Sequence, residues 1–264
     1  MRAAPVGAPA AVFSFMEPVA IIPARVASTR LPGKALAPIG GRPMIWHVAA
    51  RTQRARGLAR VIVATDDERI RAAVAPLGVE VAMTRADHPS GTDRLAEVAA
   101  TLAADVVVNV QGDLPLLDPA LVEALVARMA AEPTLPMATL AVPLHDEAAW
   151  RSPHVVKVVD DAAGRALYFS RAPIPHDRDG ARRAEEPWGW RHVGLYAYRR
   201  EVLLRLAALP PGPLERRERL EQLRALEHGI PIGVVPWRSP APIIEVDTPE
   251  DLERARTALD GGAG

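Results

Sequence analysis

Ala20-Ile-Ile-Pro-Ala-Arg-Val-Ala-Ser-Thr-Arg-Leu-Pro-Gly-Lys34 joins a short apolar run directly to a loop that holds Arg25, Arg30 and Lys34. Val19 to Ile22 reads as a buried strand. The small residues that follow, Ala24, Ala27, Ser28 and Gly33, let the backbone come close to a ligand with its N–H groups turned inward. Three cations among donor amides suit a triphosphate. The pattern is neither the Walker loop, which needs Gly-x-x-x-x-Gly-Lys-Ser/Thr, nor the Gly-x-Gly-x-x-Gly of dinucleotide folds. A bare cluster of Arg and Lys is more often a solvated loop, but the strand in front and the Pro-Gly-Lys ending argue for a binding loop here.

Outward from this loop the chain alternates strand and helix. Met44 to Arg56 reads as an amphipathic helix, and Arg60 to Thr65 as a strand ending in Asp66-Asp67. Glu68 to Leu77, Thr92 to Ala103 and Pro119 to Ala131 read as helices, with Val79 to Met83 and Asp105 to Val110 as strands between them. That alternation predicts an open doubly wound sheet, with ligands outside the carboxyl ends of its strands, where the loops after Ile22, Met83 and Val110 fall. From Met137 the pattern changes to apolar runs broken by Pro and Gly. Val155 to Val159 and Ala166 to Phe169 read as a hairpin through Asp160 to Gly164. Pro173 to Trp190 reads as a long loop or subunit contact, with Trp188 and Trp190 as packing residues. Pro213 to Glu227 is expected as helix and Ile232 to Val235 as strand. Thr248 to Leu259 is expected as a closing helix opened by the capping box Thr248-Pro-Glu-Asp251.

Composition narrows the function. The 264 residues allow one large domain, and 32 Lys plus Arg balance 32 Asp plus Glu, so the surface is not built to coat a polyanion or a membrane. With no cysteine there are no disulfides, thiolate nucleophiles or thiolate metal sites, which is compatible with a reducing cytoplasm. Met1 to Glu17 reads as a disordered tail or as a start placed too early, with Met16 as the true start; prolines interrupt its apolar patch, against a signal peptide. Residues 18–260 then form one domain, with 18–136 as nucleotide-binding half and 137–260 as the other half.

Two acids stand out by position. Asp113 ends the apolar strand Val106-Val-Val-Asn-Val-Gln-Gly-Asp, where a carboxylate would sit at the mouth of the sheet and Gly112 permits close approach. A merely capping Asp would not need that glycine. Asp247, in Glu245-Val-Asp-Thr-Pro, reads equally as a helix cap or as a site residue. Thr84-Arg-Ala-Asp-His-Pro-Ser-Gly-Thr-Asp-Arg94 is dense in donors and acceptors with small residues between, as a base-recognition loop must be; a polar turn with Thr92 capping the next helix is compatible with that role.

These segments together resemble the 3-deoxy-manno-octulosonate cytidylyltransferases, the CMP-Kdo synthetase family. The resemblance rests on Ile21 to Lys34, Met83 to Arg94, Val108-Asn-Val-Gln-Gly-Asp113, Ala166-Leu-Tyr-Phe-Ser-Arg171, Arg191-His192 with Tyr196, Leu220-Glu-Gln-Leu-Arg-Ala-Leu226, and Val246-Asp-Thr-Pro-Glu-Asp-Leu252, in one order from residue 19 to about 256. It implies a three-layer α/β/α, Rossmann-like mixed sheet of the nucleotide-diphospho-sugar-transferase kind, with a smaller β-rich subregion for sugar binding and dimerisation. It implies an enzyme that couples CTP to 3-deoxy-manno-octulosonate for lipopolysaccharide biosynthesis, releasing pyrophosphate, as a cytoplasmic homodimer that binds neither nucleic acid nor membrane. Another acidic sugar as acceptor, an 8-amino ulosonate or a sialate-like nonulosonate, and a non-catalytic nucleotide-binding protein are the alternatives.

Residue by residue, the resemblance gives Mg2+ to Asp113 and Asp247, and charge compensation to Arg25 and Lys34. Nucleotide contacts fall to Ala24, Arg25, Ser28, Lys34, Arg85, Ser90, Gly91, Thr92 and Gln111. Sugar contacts fall to Arg171, His192, Tyr196, Glu218 and Gln222, with Arg171 able to hold a carboxylate bidentately and His192 and Tyr196 on one side of a strand. A lone His near a strand is otherwise more often structural, and Glu221 beside Gln222 reads as part of a solvated helix face. One departure is plain: the family has Glu in Gln-Gly-Asp-Glu-Pro, where this chain has Leu114.

Overall fold

Strand β1 (Pro18–Ala24) is apolar on both sides because both of its faces are covered. The computed structural model describes residues 16–26, 31–180, 182–239 and 243–261. Beside β1 lie β4 (Arg60–Thr65) and β6 (Val106–Asn109), both parallel to it, and β5 (Glu80–Met83) extends the parallel set beyond β4. Between β1 and β4 the chain makes a small hairpin, β2 (Pro38–Ile39) with β3 (Arg42–Pro43), and helix α1 (Met44–Thr52). Helices α2 (Glu68–Val74) and α3 (Gly91–Ala100) flank β5 in sequence, and α4 (Pro119–Ala131) follows β6. The β4 and α4 boundaries fall at the residues expected. The first helix stops at Thr52, four residues short of Arg56, and the Leu77 end of the second is a 3-10 turn containing Pro76.

The second half adds an antiparallel element. Strand β7 (Met137–Leu144), α5 (Glu147–Arg151) and the hairpin β8 (Lys157–Asp160) and β9 (Ala166–Ser170) precede β10 (Gly189–Arg199). Strand β10 runs antiparallel between β6 and β7 and also pairs with β8, which makes the sheet mixed. Helices α6 (Arg200–Ala208), α7 (Pro213–Glu218) and α8 (Leu223–Glu227) lead to β11 (Ile232–Pro236), parallel to β7, and α9 (Pro249–Gly261) closes the chain. The order across the sheet is β11-β7-β10-β6-β1-β4-β5.

Alternation along β1 sorts the core into two layers. Ala20, Ile22 and Ala24 pack with Ile45 and Val48 of α1, Ile70 of α2 and Val126 of α4. Val19 and Ile21 pack on the other side with Leu95 of α3, Leu203 of α6 and Leu223 of α8. A third cluster, Ile39, Met44, Val246, Leu252 and Ala255, docks α9 on the β2–β3 hairpin. The capping box forms as expected: Thr248 Oγ1 accepts the Asp251 N–H at 3.2 Å, and an Asp251 oxygen accepts the Thr248 N–H at 2.9 Å.

Two expectations need correction. The helix over 213–227 is broken, because Arg219 takes a left-handed φ of 57° between α7 and α8. Its N–H closes α7 on the Glu215 carbonyl at 2.8 Å, and the Glu218 carboxylate turns to hold Ser170 and Arg171. Helix α3 is capped by Ser90, whose Oγ accepts the Asp93 N–H, and not by Thr92. The described residues of the 173–188 stretch form no helix or strand. Its Trp188 stacks on Trp150 at 5.2 Å, with the Arg182 guanidinium 4.1 Å above the Trp188 ring.

Candidate active site

Lys34 arrives at the mouth of the sheet through Gly33, which sits at φ 71° and opens the short 3-10 turn Lys34–Leu36. Its Nζ donates to Asp113 Oδ2 at 2.9 Å, to Asp247 Oδ1 at 3.0 Å and to the Val246 carbonyl at 3.0 Å. Burial disfavours the ammonium, but Asp113 and then Asp247 outweigh it, and its pKa lies above the ordinary lysine value. The Asp113 carbonyl in turn accepts the Val246 N–H at 2.9 Å. Residues 34, 113 and 247 thus meet at one point.

The structure separates the two readings of Asp247. Thr248 caps α9, while the Asp247 carboxylate reaches the Lys34 ammonium. Gly112 does permit close approach, although to the protein itself: a Cβ there would stand 2.9 Å from the Pro23 carbonyl oxygen. Only glycine lets the Asp113 loop lie against the end of β1. Glu245 sits in the negative field of these two acids. Burial, then Asp113, and Asp247 after it, push its carboxyl up to about 7, while Arg191 and Lys34 pull the other way.

Around this point opens a cleft of about 590 Å3 whose walls include Ala24, Arg25, Lys34, Ser90, Gly91, Gln111, Asp113 and Asp247. Eight residues expected from sequence therefore share one cavity. Ser28, and Arg30 of the same loop, lie outside the described residues. Arg85 does not line the cleft; its side chain is exposed and ion-pairs with Asp87 at 3.5 Å. Thr92 is buried behind the wall, donating to Glu221 Oε2 at 3.0 Å. His88 and Arg94, inside the expected base-recognition loop but not singled out as contacts, also line the cleft. His88 bonds Glu97, and Arg94 pairs with Asp66 at 3.1 Å and donates to Thr84, so both tie the loop after β5 to its neighbours. Their place in a polar run was the only sequence signal available.

None of the expected sugar residues lines this cleft. Arg171 is not a free fork: Nε donates to the Glu218 carbonyl at 2.8 Å, and Nη1 to that of Pro153 at 2.9 Å. Glu218 accepts from Ser170 Oγ at 2.6 Å and from the Arg171 N–H at 2.9 Å. His192 and Tyr196 do share a side, with ring centroids 5.4 Å apart, since three steps on β10 from Val193 to Tyr196 match one on β7 and leave the alternation intact. Burial, then Arg191, lowers the His192 pKa to about 3, so the ring is neutral at pH 7. Gln222 is 7% exposed, and its Nε2 has no hydrogen-bond partner among the described residues. Glu221 is no solvated face: it bonds Ser90 and Thr92 at the start of α3, on the same side of the sheet.

Two carboxylates and a carbonyl already surround a cation here, the Lys34 ammonium, and such an all-oxygen set suits Mg2+, which keeps waters and takes phosphate oxygens for its other positions. No group of three or more metal-ligating side chains occurs among the described residues.

Comparison with known proteins agrees on one family. Residues 19–232 match the cytidylyltransferase family profile. The 3-deoxy-manno-octulosonate cytidylyltransferase of Syntrophotalea carbinolica is 53% identical over 251 residues, 93% of this chain and 100% of that protein. The one of Syntrophobacter fumaroxidans is 56% identical over 241 residues, 90% of this chain and 95% of that protein. Among solved structures, CMP:2-keto-3-deoxy-manno-octonic acid synthetase complexed with CTP superposes with a TM-score of 0.87 at 44% identity, covering 93% of this chain and 99% of that one. The 4-diphosphocytidyl-2C-methyl-D-erythritol synthase of Anaerococcus prevotii, 14% identical with a TM-score of 0.62, shares the fold.

Proposed function

This chain belongs to the 3-deoxy-manno-octulosonate cytidylyltransferase family and so transfers a cytidylyl group from CTP to that sugar acid, and we propose that the cleft at the mouth of β1, β5 and β6 is where it does so. One observation carries the proposal: the cationic loop, the polar loop after β5 and two acids 134 positions apart (247 − 113) converge on a single cavity. The anomeric hydroxyl of the acceptor attacks the α-phosphorus in line, and pyrophosphate leaves. Arg25 and Lys34 offset the charge that grows on the α-phosphate and on the leaving group. Ser90, Gly91 and Gln111 face the base. Mg2+ bound by Asp113 and Asp247 would supply further positive charge to the phosphate oxygens. No side chain here needs to form a covalent intermediate, so catalysis rests on position and charge.

On the acceptor side, His192 and Tyr196 offer neutral polar groups and Gln222 an amide nitrogen with no partner among the described residues, which suits hydroxyls more than a carboxylate. Arg171 acts there mainly by fixing the Ser170–Arg171 corner to the α7–α8 link. We read the protein as a cytoplasmic enzyme of lipopolysaccharide synthesis and a homodimer. Leu167, 63% exposed on β9, which among the described residues pairs with β8 alone, favours a second copy at that edge. No helix among the described residues is long and apolar enough to cross a membrane. The test is pyrophosphate release with each of the four common NTPs against a panel of 3-deoxy-manno-octulosonate, its 8-amino analogue and a nonulosonate. Release with CTP and the first of these is expected; release with another NTP but not CTP would overturn the cleft assignment.

A further inference from the structure

Ser90, at the start of α3 and in the wall of the cleft, faces two carboxyl groups at once. Its Oγ accepts the Asp93 N–H at 3.2 Å, lies 2.6 Å from Asp93 Oδ2, and lies 3.0 Å from Glu221 Oε1. A hydroxyl has one proton to give. The contact with Asp93 Oδ2 is the shorter of the two, 2.6 against 3.0 Å, so it takes that proton. The contact with Glu221 would then join two oxygens with no hydrogen between them. We propose that Glu221 carries a proton on Oε1 and donates it to Ser90 Oγ, while its Oε2 accepts from Thr92 Oγ1 at 3.0 Å, so that a neutral carboxylic acid holds the N-terminal turn of α3 against the nucleotide. Glu221 is thereby a positioning residue that acts through Ser90 and Thr92.

The charged groups around it allow this. Arg224, on α8, is 3.8 Å away, but its fork is spent on Glu215, with contacts of 2.9 and 2.6 Å. Asp93, on α3, disfavours a second anion beside it. Tyr196 and Tyr198 of β10 are held neutral by burial. Although 35% of the Glu221 side chain is open to solvent, burial raises its pKa and Asp93 adds to the rise, against the pull of Thr92, Ser90 and Arg224.

The inference rests on the reading of Ser90 and Gly91 as the wall that faces the nucleotide, and its test separates the two. In Glu221→Gln the amide nitrogen replaces the protonated oxygen and the amide oxygen replaces the acceptor, so both bonds can be kept; Glu221→Ala keeps neither. By calorimetry, Glu221→Ala should weaken CTP about tenfold more than Glu221→Gln does. The gap should shrink in a Ser90→Ala background. Equal losses in the two Glu221 variants would overturn the proposal, since an ionised carboxylate would then be what the site needs. Should Glu221→Ala fail to fold, infrared difference spectra of the wild type and Glu221→Gln without nucleotide decide: a protonated-carboxyl band must be present in the first and lost in the second, and its absence from the wild type overturns the proposal. Failure of the wild type to bind CTP would sink the nucleotide reading instead and leave the band untouched.

Discussion

Leu114→Glu restores the acid that the family carries beside Asp113, and the structure predicts that the change acts on stability before it acts on the metal. Leu114 is 1% exposed and belongs to the large core cluster under α4. Its surroundings include Leu117, Leu121, Trp237 and Ile243, with Asp118 as the nearby acid, and a gap of about 30 Å3, room for roughly one water. Removing the leucine forfeits about 1.5–3 kcal/mol of burial. An ionised Glu would stand unpaired near Asp118, so its pKa rises; a rise of about two units costs about 3 kcal/mol more at pH 7. The total, about 5 kcal/mol, corresponds to a fall in Tm of roughly 10–20 °C for a domain of this size. The sign with pH follows. A carboxyl whose folded pKa lies above its unfolded one penalises folding only where the unfolded chain has lost the proton. The gap between variant and wild type should therefore widen as pH rises from about 4 to 7. Thermal melts at the two ends of that range are the assay. A loss under about 2 °C that does not change with pH would mean that position 114 looks into the cleft, and the burial argument would be wrong.

Asp113→Asn and Asp247→Asn should each lower turnover at least about a hundredfold at saturating Mg2+. Thr248 does the capping, so Asp247→Asn should barely move the melting curve, and a large loss of stability with full specific activity would reverse the assignment. Lys34→Ala should weaken CTP and slow the chemical step. Arg171→Ala should raise KM for the sugar acid more than for CTP and also lower Tm, because its guanidinium holds backbone carbonyls; equal effects on both substrates would merge the two sites. Glu245, raised from 4.5 to about 7 in the folded protein, holds a proton there that the unfolded chain has lost, so it lowers stability as pH rises through that window. Since Asp113 and Asp247 cause part of the rise, Mg2+ bound between them at pH 7 should release up to about half a proton per chain. Calorimetry in buffers of different ionisation heat checks this: identical heats would refute it, and Glu245→Gln should abolish the difference.

The parallel half of the sheet was legible because each strand there is a short apolar run between polar turns and each helix has its own cap or proline. β4 and α4 came out to the residue. The cleft residues were legible for the related reason that a phosphate site needs particular residue types at strand ends. What stayed hidden was decided by partners far away in sequence. The break at Arg219 has no glycine or proline to mark it, and it exists because Glu218 is held by the end of β9. Arg171 looked like a free cation because nothing local shows that its donors go to the Pro153 and Glu218 carbonyls. Lys157 is the extreme case, fully buried with Nζ donating to the carbonyls of Ser152, Val155 and Arg171, in a stretch that reads only as one arm of a hairpin. Asp247 could be placed only once Thr248 was seen to cap α9.

The meeting of Lys34, Asp113 and Asp247 also sets a timetable for the newborn chain. Strands β1, β4, β5 and β6 with their helices are complete by residue 131, but the second acid arrives only with the segment before α9, and the clamp on Lys34 includes the Val246 carbonyl. On the ribosome, where synthesis runs at about 5–20 residues per second, the first half spends roughly 6–23 s without the residues that complete the cleft. Until then the Lys34 and Asp113 side chains face each other alone. A chain cut short before residue 247 can keep most of its sheet and still have no working centre, so a segment made long after the first half of the sheet is the part that switches the enzyme on.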